Sequence, residues 1–207
     1  MVNSFIAKED LDSEMTVVRN EYEMGENEPF RVLYKRLFAT AFQWHNYGNS
    51  TIGNRSDIEN VRIENLQAFY RLYYQPDNAV LTVAGKFDVE ATLPLIAQTF
   101  GKIPRPKREL PPLWTVEPTQ DGERSFVVRR KGDVQIVLVG YRIPSLLSDS
   151  TAAISAAADI LGDTPNGRLH RELVATGMAA QVFSWAMQVR DPGLAVIGAL
   201  VKKGEPV

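Results

Sequence analysis

Apolar positions in the first half of the chain recur mainly at helical spacing. Leu66, Phe69, Tyr70 and Tyr73 follow an i, i+3, i+4, i+7 pattern, which predicts an amphipathic helix over residues 65–74. A short β-branched run at residues 79–84 predicts a buried strand. The other helices predicted in this half cover residues 10–24, 27–42 and 88–100.

The second half mixes strands with helices. Two runs, 125–129 and 135–142, flank Lys131-Gly132-Asp133 and predict a hairpin. This order predicts an α+β fold, in which an antiparallel sheet and helices on one face form two layers. The remaining predicted elements are helices at 150–161 and 168–175 and strands at 180–188 and 194–202.

A proline-rich segment divides the 207-residue chain. Residues 103–121 hold five of its twelve prolines. Proline fixes φ and removes a backbone donor, so this segment is predicted to be an extended connector. We therefore predict two units, residues 1–103 and 124–207, joined by a connector at 104–123.

Composition excludes several classes of protein. The chain has no cysteine, so it holds no disulfide framework, thiolate metal site or cysteine nucleophile. A net charge of −2 argues against nucleic-acid binding. No apolar run approaches the roughly 20 residues that a membrane-spanning helix needs. Of the two histidines, His45 is interpreted as a structural or exposed residue and His170 as an exposed one.

Two glutamates on the first predicted helix are the strongest candidates for chemistry. Glu14 and Glu21 lie seven residues, or two turns, apart and therefore point the same way. Helical spacing also places them within an otherwise apolar half of the helix, which includes Val17 and Met24. Carboxylates among apolar neighbours are costly unless paired, hydrogen-bonded or bound to a metal. The pattern leaves two interpretations open, a metal or acid–base site and ion pairs with basic residues of another element.

Longer stretches around these glutamates resemble a known family. Residues 14–27, EMTVVRNEYEMGEN, resemble the second zinc-site helix of the pitrilysin/insulinase-type zinc peptidases. The resemblance continues through His45-Asn-Tyr-Gly, through NLQAFY at 65–70 and through YQPDNAVLTVAG at 74–85, and more weakly through GRLHREL at 167–173. It implies the fold of pitrilysin and the mitochondrial processing peptidase.

In that family, an H-x-x-E-H motif supplies two histidine ligands to zinc and the general base, and a distal glutamate completes the site. The resemblance implies that Glu21 is the distal zinc ligand and that Glu14 is a neighbouring carboxylate supporting it. The chain contains no H-x-x-E-H. The family order places that motif, with its base, upstream of Met1.

We therefore expect an internal fragment of a zinc metalloendopeptidase that hydrolyses peptides or small proteins. Residues 1–103 would end the first peptidase α/β unit and residues 124–207 would begin the second, so both units would be incomplete. By itself the fragment is expected to be inactive and to bind no zinc tightly. The alternative is a non-catalytic scaffold or partner subunit of the same fold.

The same resemblance implies partners and a location. We expect a peptide substrate and a chamber completed by a homodimer or a related subunit, with no nucleic acid and no membrane span. Bacterial relatives are often exported, so a periplasmic location is expected, with the cytoplasm as the alternative.

Overall fold

The computed structural model describes residues 4–203, which form six α-helices and three β-strands. The helices are α1 (Lys8–Asn27), α2 (Pro29–Ala41), α3 (Arg55–Asn60), α4 (Ile63–Tyr73), α5 (Val89–Thr99) and α6 (Thr151–Gly162). The strands are β1 (Gln135–Ile143), β2 (Ala179–Met187) and β3 (Gly193–Val201). The connections include 3₁₀ turns at Asn46–Gly48, Pro76–Asn78 and Phe100–Lys102 and a π-helical turn at His170–Val174.

The three strands form one antiparallel sheet in the order β1-β3-β2. Gln135 lies opposite Val201 at one end of the β1–β3 pair, and Ile143 lies opposite Gly193 at the other. Strand β2 pairs with the other edge of β3, with an irregularity near Ala179. The strands predicted at 135–142, 180–188 and 194–202 and the α+β fold class are confirmed.

The core lies between this sheet and helix α2. Leu194 and Val196 of the central strand are fully buried at 0% exposure and contact Leu37, Phe38 and Phe42. Val196 lies opposite Trp185 in the sheet, so these side chains share one face. Burial of several large apolar side chains, each contributing about 1.5–3 kcal/mol, is the main force joining α2 to the sheet.

Helix α6 packs against the other face of the sheet, so the prediction that helices lie on one face only is wrong for these three strands. Successive side chains of a strand point to opposite faces, so Ser184 points away from the face that carries Trp185. The Ser184 hydroxyl donates a hydrogen bond to the carbonyl oxygen of Ala158 in α6.

Contacts group the chain into two compact units. Unit 1 comprises the described residues up to Glu21 together with Ile52–Trp114, and unit 2 comprises Tyr22–Thr51 together with the described residues from Thr115 on. Helix α1 runs continuously through the boundary after Glu21. Assignment of residues 1–103, 104–123 and 124–207 to two family units and a connector stays a prediction.

Two predicted strands are wrong. Residues 79–84 form no strand, and Val80 is 93% exposed. Residues 125–129 are also outside the sheet, although their burial alternates as in a strand. An alternating or β-branched run indicates which side chains suit a sheet, but a strand also needs a neighbour that satisfies its backbone groups. Within residues 4–203 neither segment has such a neighbour.

Candidate functional site

Helix α1 buries one stripe of its surface. Leu11 is buried, and Met15, Val18, Tyr22 and Glu26 are partly buried. These residues recur every three or four positions, so they lie on one face of the helix. This face therefore carries the buried side chains of α1.

Glu14 and Glu21 lie outside that stripe, and both are exposed. Their apolar neighbours Val17 and Met24 are exposed as well, at 57% and 72%. The expectation that the glutamates lie within a buried apolar half of the helix is wrong, because the buried stripe ends beside them. Neither carboxylate forms an ion pair or hydrogen bond with another residue of the described range 4–203. Among residues 4–203, the structure thus shows none of the ion pairs that the sequence pattern left open for these two glutamates.

An ion-pair cluster holds the C-terminal end of α1 on a side away from Glu14 and Glu21. It consists of Glu26, Lys35 and Arg130. The Lys35 Nζ lies 2.7 Å from Glu26 Oε1, and the Arg130 Nη2 lies 3.1 Å from Glu26 Oε2. Arg130 also donates to the backbone carbonyl of Glu26. The hydrogen bond from Lys35 lowers the pKa of the Glu26 carboxyl, and this effect together with that of Arg130 exceeds the opposing effect of burial.

A second carboxylate, Glu117, organises the loop that follows α2. Its side chain is 2% exposed and accepts backbone N–H bonds from Gln43 at 2.9 Å, Trp44 at 2.7 Å and His45 at 2.9 Å. Burial raises the pKa of Glu117, but these three donors and the nearby Arg142 guanidinium outweigh it, so the net pKa is lowered. Glu117 thus fixes the loop as a charged acceptor.

His45 has the structural role that the sequence indicated. The His45 Nδ1 accepts the Tyr47 N–H at 3.1 Å, and its Nε2 lies 3.5 Å from the Asp191 carboxylate. The expectation that His170 is exposed is wrong, because it lies half-buried in the π-helical turn.

The described residues do not by themselves build a zinc centre. A catalytic zinc needs three protein ligands and one open position. No group of three or more histidine, aspartate or glutamate residues is placed to hold a metal within residues 4–203. The exposed face of α1 that carries Glu14 and Glu21 has carboxylates but no histidine. Glu21 therefore supplies at most one ligand of such a centre.

No helix in the described part of the chain is both long and apolar enough to span a membrane.

Comparison with known proteins defines the family. Residues 60–206 match the family model of the peptidase M16 inactive domain. The chain belongs to the M16 peptidase family. The resemblance to pitrilysin-type zinc peptidases is thereby confirmed, and the matched part is the domain that the family model describes as inactive.

One relative and one solved structure agree with this assignment, and a second solved structure shares the fold. The zinc protease PqqE of Helicobacter pylori is 32% identical over 195 residues, which are 92% of this chain and 44% of that protein. The crystal structure of a protease from Helicobacter pylori superposes with a TM-score of 0.92 at 30% identity, covering 96% of this chain and 49% of the other. The crystal structure of the periplasmic protease PqqL from Escherichia coli gives a TM-score of 0.67 at 19% identity, over 96% and 22% of the two chains. The chain spans about half the length of the Helicobacter proteins.

Proposed function

We propose that this chain is the part of a zinc metalloendopeptidase that supplies one zinc ligand, Glu21, together with the M16 inactive domain. The observation that carries the proposal is the exposed face of α1. There Glu21 and Glu14 lie two turns apart with no intramolecular partner in the described chain, in a protein 32% identical to a zinc protease. An exposed carboxylate is available to a ligand that reaches this face.

Each glutamate has a distinct task in this proposal. Glu21 coordinates the metal through its carboxylate, and Glu14 orients or charge-balances that ligand from one side. Zinc, when bound, lowers the pKa of a coordinated water and polarises the peptide carbonyl. The other ligands and the general base come from residues other than those described here.

The substrates and the location follow from the same assignment. We propose peptides or small proteins as substrates, with a second M16 subunit or another copy completing the chamber. A periplasmic location is supported by the likeness to PqqL, which is a periplasmic protease in Escherichia coli.

The proposal is tested in the full-length protein by elemental analysis and by cleavage of a fluorogenic peptide. Glu21→Gln should remove most of the zinc and the activity, because an amide is a poor replacement for an anionic ligand. Glu14→Gln should lower zinc affinity by about 10–100-fold. Glu9→Gln, which changes an exposed carboxylate in the first turn of α1, is the matched control. Unchanged zinc content in Glu21→Gln would remove Glu21 as a ligand.

A second candidate function is a non-catalytic partner or scaffold subunit, which is favoured by the match to an inactive domain. The two candidates differ in whether the full-length protein encodes H-x-x-E-H. If that motif is present and the purified protein carries zinc, the scaffold function is rejected.

A further inference from the structure

We infer that Glu26 is a positioning residue, held by Lys35 and Arg130 so that helix α1 presents Glu14 and Glu21 outward. The catalytic meaning of this inference rests on the proposed function of Glu21. The positioning contacts themselves are a property of the described chain and are testable separately.

Lys35 and Arg130 contact helix α1 on a side away from Glu14 and Glu21. At about 100° per residue, Glu14 lies within about 20° of Glu21, whereas Tyr22 and Glu26 lie about 100° and 140° away. The Lys35 Nζ lies 5.1 Å from the centre of the Tyr22 ring, so it contacts both residues of this far side. These contacts therefore leave the face of α1 that carries the two glutamates exposed.

Arg130 comes from a distant part of the chain, 104 residues after Glu26. Arg130 ends a segment, residues 124–130, that we call the clamp segment. At the other end, Arg124 Nη1 donates to the carbonyl oxygen of Thr40 near the end of α2 at 2.9 Å. Six extended steps span about 20 Å, close to the roughly 17 Å between Pro29 and Thr40 in α2. The clamp segment thus has the length needed to run beside α2.

Side-chain contacts, not pairing with the sheet, fix the clamp segment. It makes no ladder hydrogen bonds with the sheet. Phe126 packs against the core cluster of α2 and β3, and the two arginines hold the ends. The position of Arg130 is therefore set by side-chain contacts, and Arg130 in turn holds the last turn of α1 through Glu26.

This arrangement gives the matched inactive domain a task. Arg130 lies within residues 60–206, the part that matches the inactive-domain model, whereas Glu26 and Glu21 lie before it. A domain without a catalytic motif would then orient the helix that carries the proposed ligand.

The first arm of the test uses the 207-residue chain and hydrogen exchange of amides 17–25. Glu26→Gln and Arg130→Met should each speed exchange there about five- to tenfold. The effect of the double variant should be smaller than the two effects combined, because both variants remove the ion pair between Glu26 and Arg130. Arg130→Lys, which keeps the charge, should retain most of the protection. Glu28→Gln is the matched control, since it breaks the exposed ion pair with Arg31 near the same helix end. Equal effects of Glu28→Gln and Glu26→Gln would overturn the inference.

The second arm uses the full-length protein and a chelator competition for zinc. Glu26→Gln should weaken zinc binding about tenfold with an unchanged circular dichroism spectrum, and Arg130→Lys should stay near wild type. Faster exchange with unchanged zinc affinity would overturn the positioning role. If Glu21→Gln itself leaves zinc in place, the proposed function fails, while the exchange arm still decides whether Glu26 holds the helix.

Discussion

Glu117 illustrates at the scale of one residue how a buried charge fixes the backbone. Three consecutive N–H groups converge on its carboxylate. We predict that Glu117→Gln destabilises the chain by about 2–3 kcal/mol, because an amide has one acceptor oxygen and turns a donor toward another donor. Urea denaturation followed by tryptophan fluorescence measures the change. Glu123→Gln, at an exposed position six residues later, should change stability by less than about 0.5 kcal/mol. A loss no larger than that control would contradict the role of Glu117.

The same residue makes stability depend on pH. The pKa of Glu117 is lower in the folded chain than its ordinary value of 4.5, so the unfolded chain binds more protons between the two values. Its contribution is complete above about pH 4.5 and is lost as the pH falls through the folded pKa. We predict a fall in unfolding free energy as the pH drops below about 4.5 that is shallower in Glu117→Gln. Parallel curves for the two proteins would show that another group is responsible.

Glu117 and Glu26 also mark what the sequence left unpredicted at this scale. Glu117 stands among connector prolines, and its partners Gln43, Trp44 and His45 lie more than 70 residues earlier. No local pattern connects residues that far apart. Glu14 and Glu21 were identified as candidates because a helical repeat and a family resemblance are both local signals. The exposure of their side chains was not predicted.

At the scale of elements, the features that local sequence signals determine were again predicted better than those that depend on distant residues. Five of the six described α-helices and the three strands of the sheet were predicted nearly to their ends, since periodicity and caps are encoded within each segment. The short helix α3 was not predicted. The Asp88 carboxylate, for example, accepts the Ala91 N–H at the start of α5 as a helix cap should. Residues 79–84 and 125–129 were predicted wrongly because pairing depends on distant partners.

Central strand β3 provides a sharp test of packing. A Cβ placed on Gly198 would lie 2.1 Å from a ring atom of Phe183 and 2.7 Å from Leu138 Cδ2. We predict that Gly198→Ala destabilises the chain by about 1–3 kcal/mol, because the ring must shift against Phe30 and Trp185, which it contacts. Thermal melting measures the effect. Gly122→Ala is the matched control, since nothing lies within 4 Å of its added Cβ. A stable Gly198→Ala variant would show that the ring has room to move.

At the scale of the whole molecule, burial is unequal between the two units. The described buried apolar residues of unit 1 are Leu11 and Ile58, whereas unit 2 contains the cluster around Leu194 and Val196. In α5, Leu93 and Leu95 are each more than half exposed. Local opening costs less free energy where few apolar contacts are lost.

We therefore predict that amides of α4 and α5 exchange much faster than those of β3 and α2 in the 207-residue chain. Hydrogen exchange read by mass spectrometry resolves the units, because their peptides do not overlap. Phe38→Ala should speed exchange in the sheet of unit 2, since it removes a buried ring. It should leave α5 unchanged, because that helix already opens at little cost. Protection of α5 equal to that of β3 would mean that the exposed apolar side chains of unit 1 are covered in solution. The unit would then hold a partner surface that is occupied, for instance by a second copy, and a concentration series would reveal this as protection that is lost on dilution.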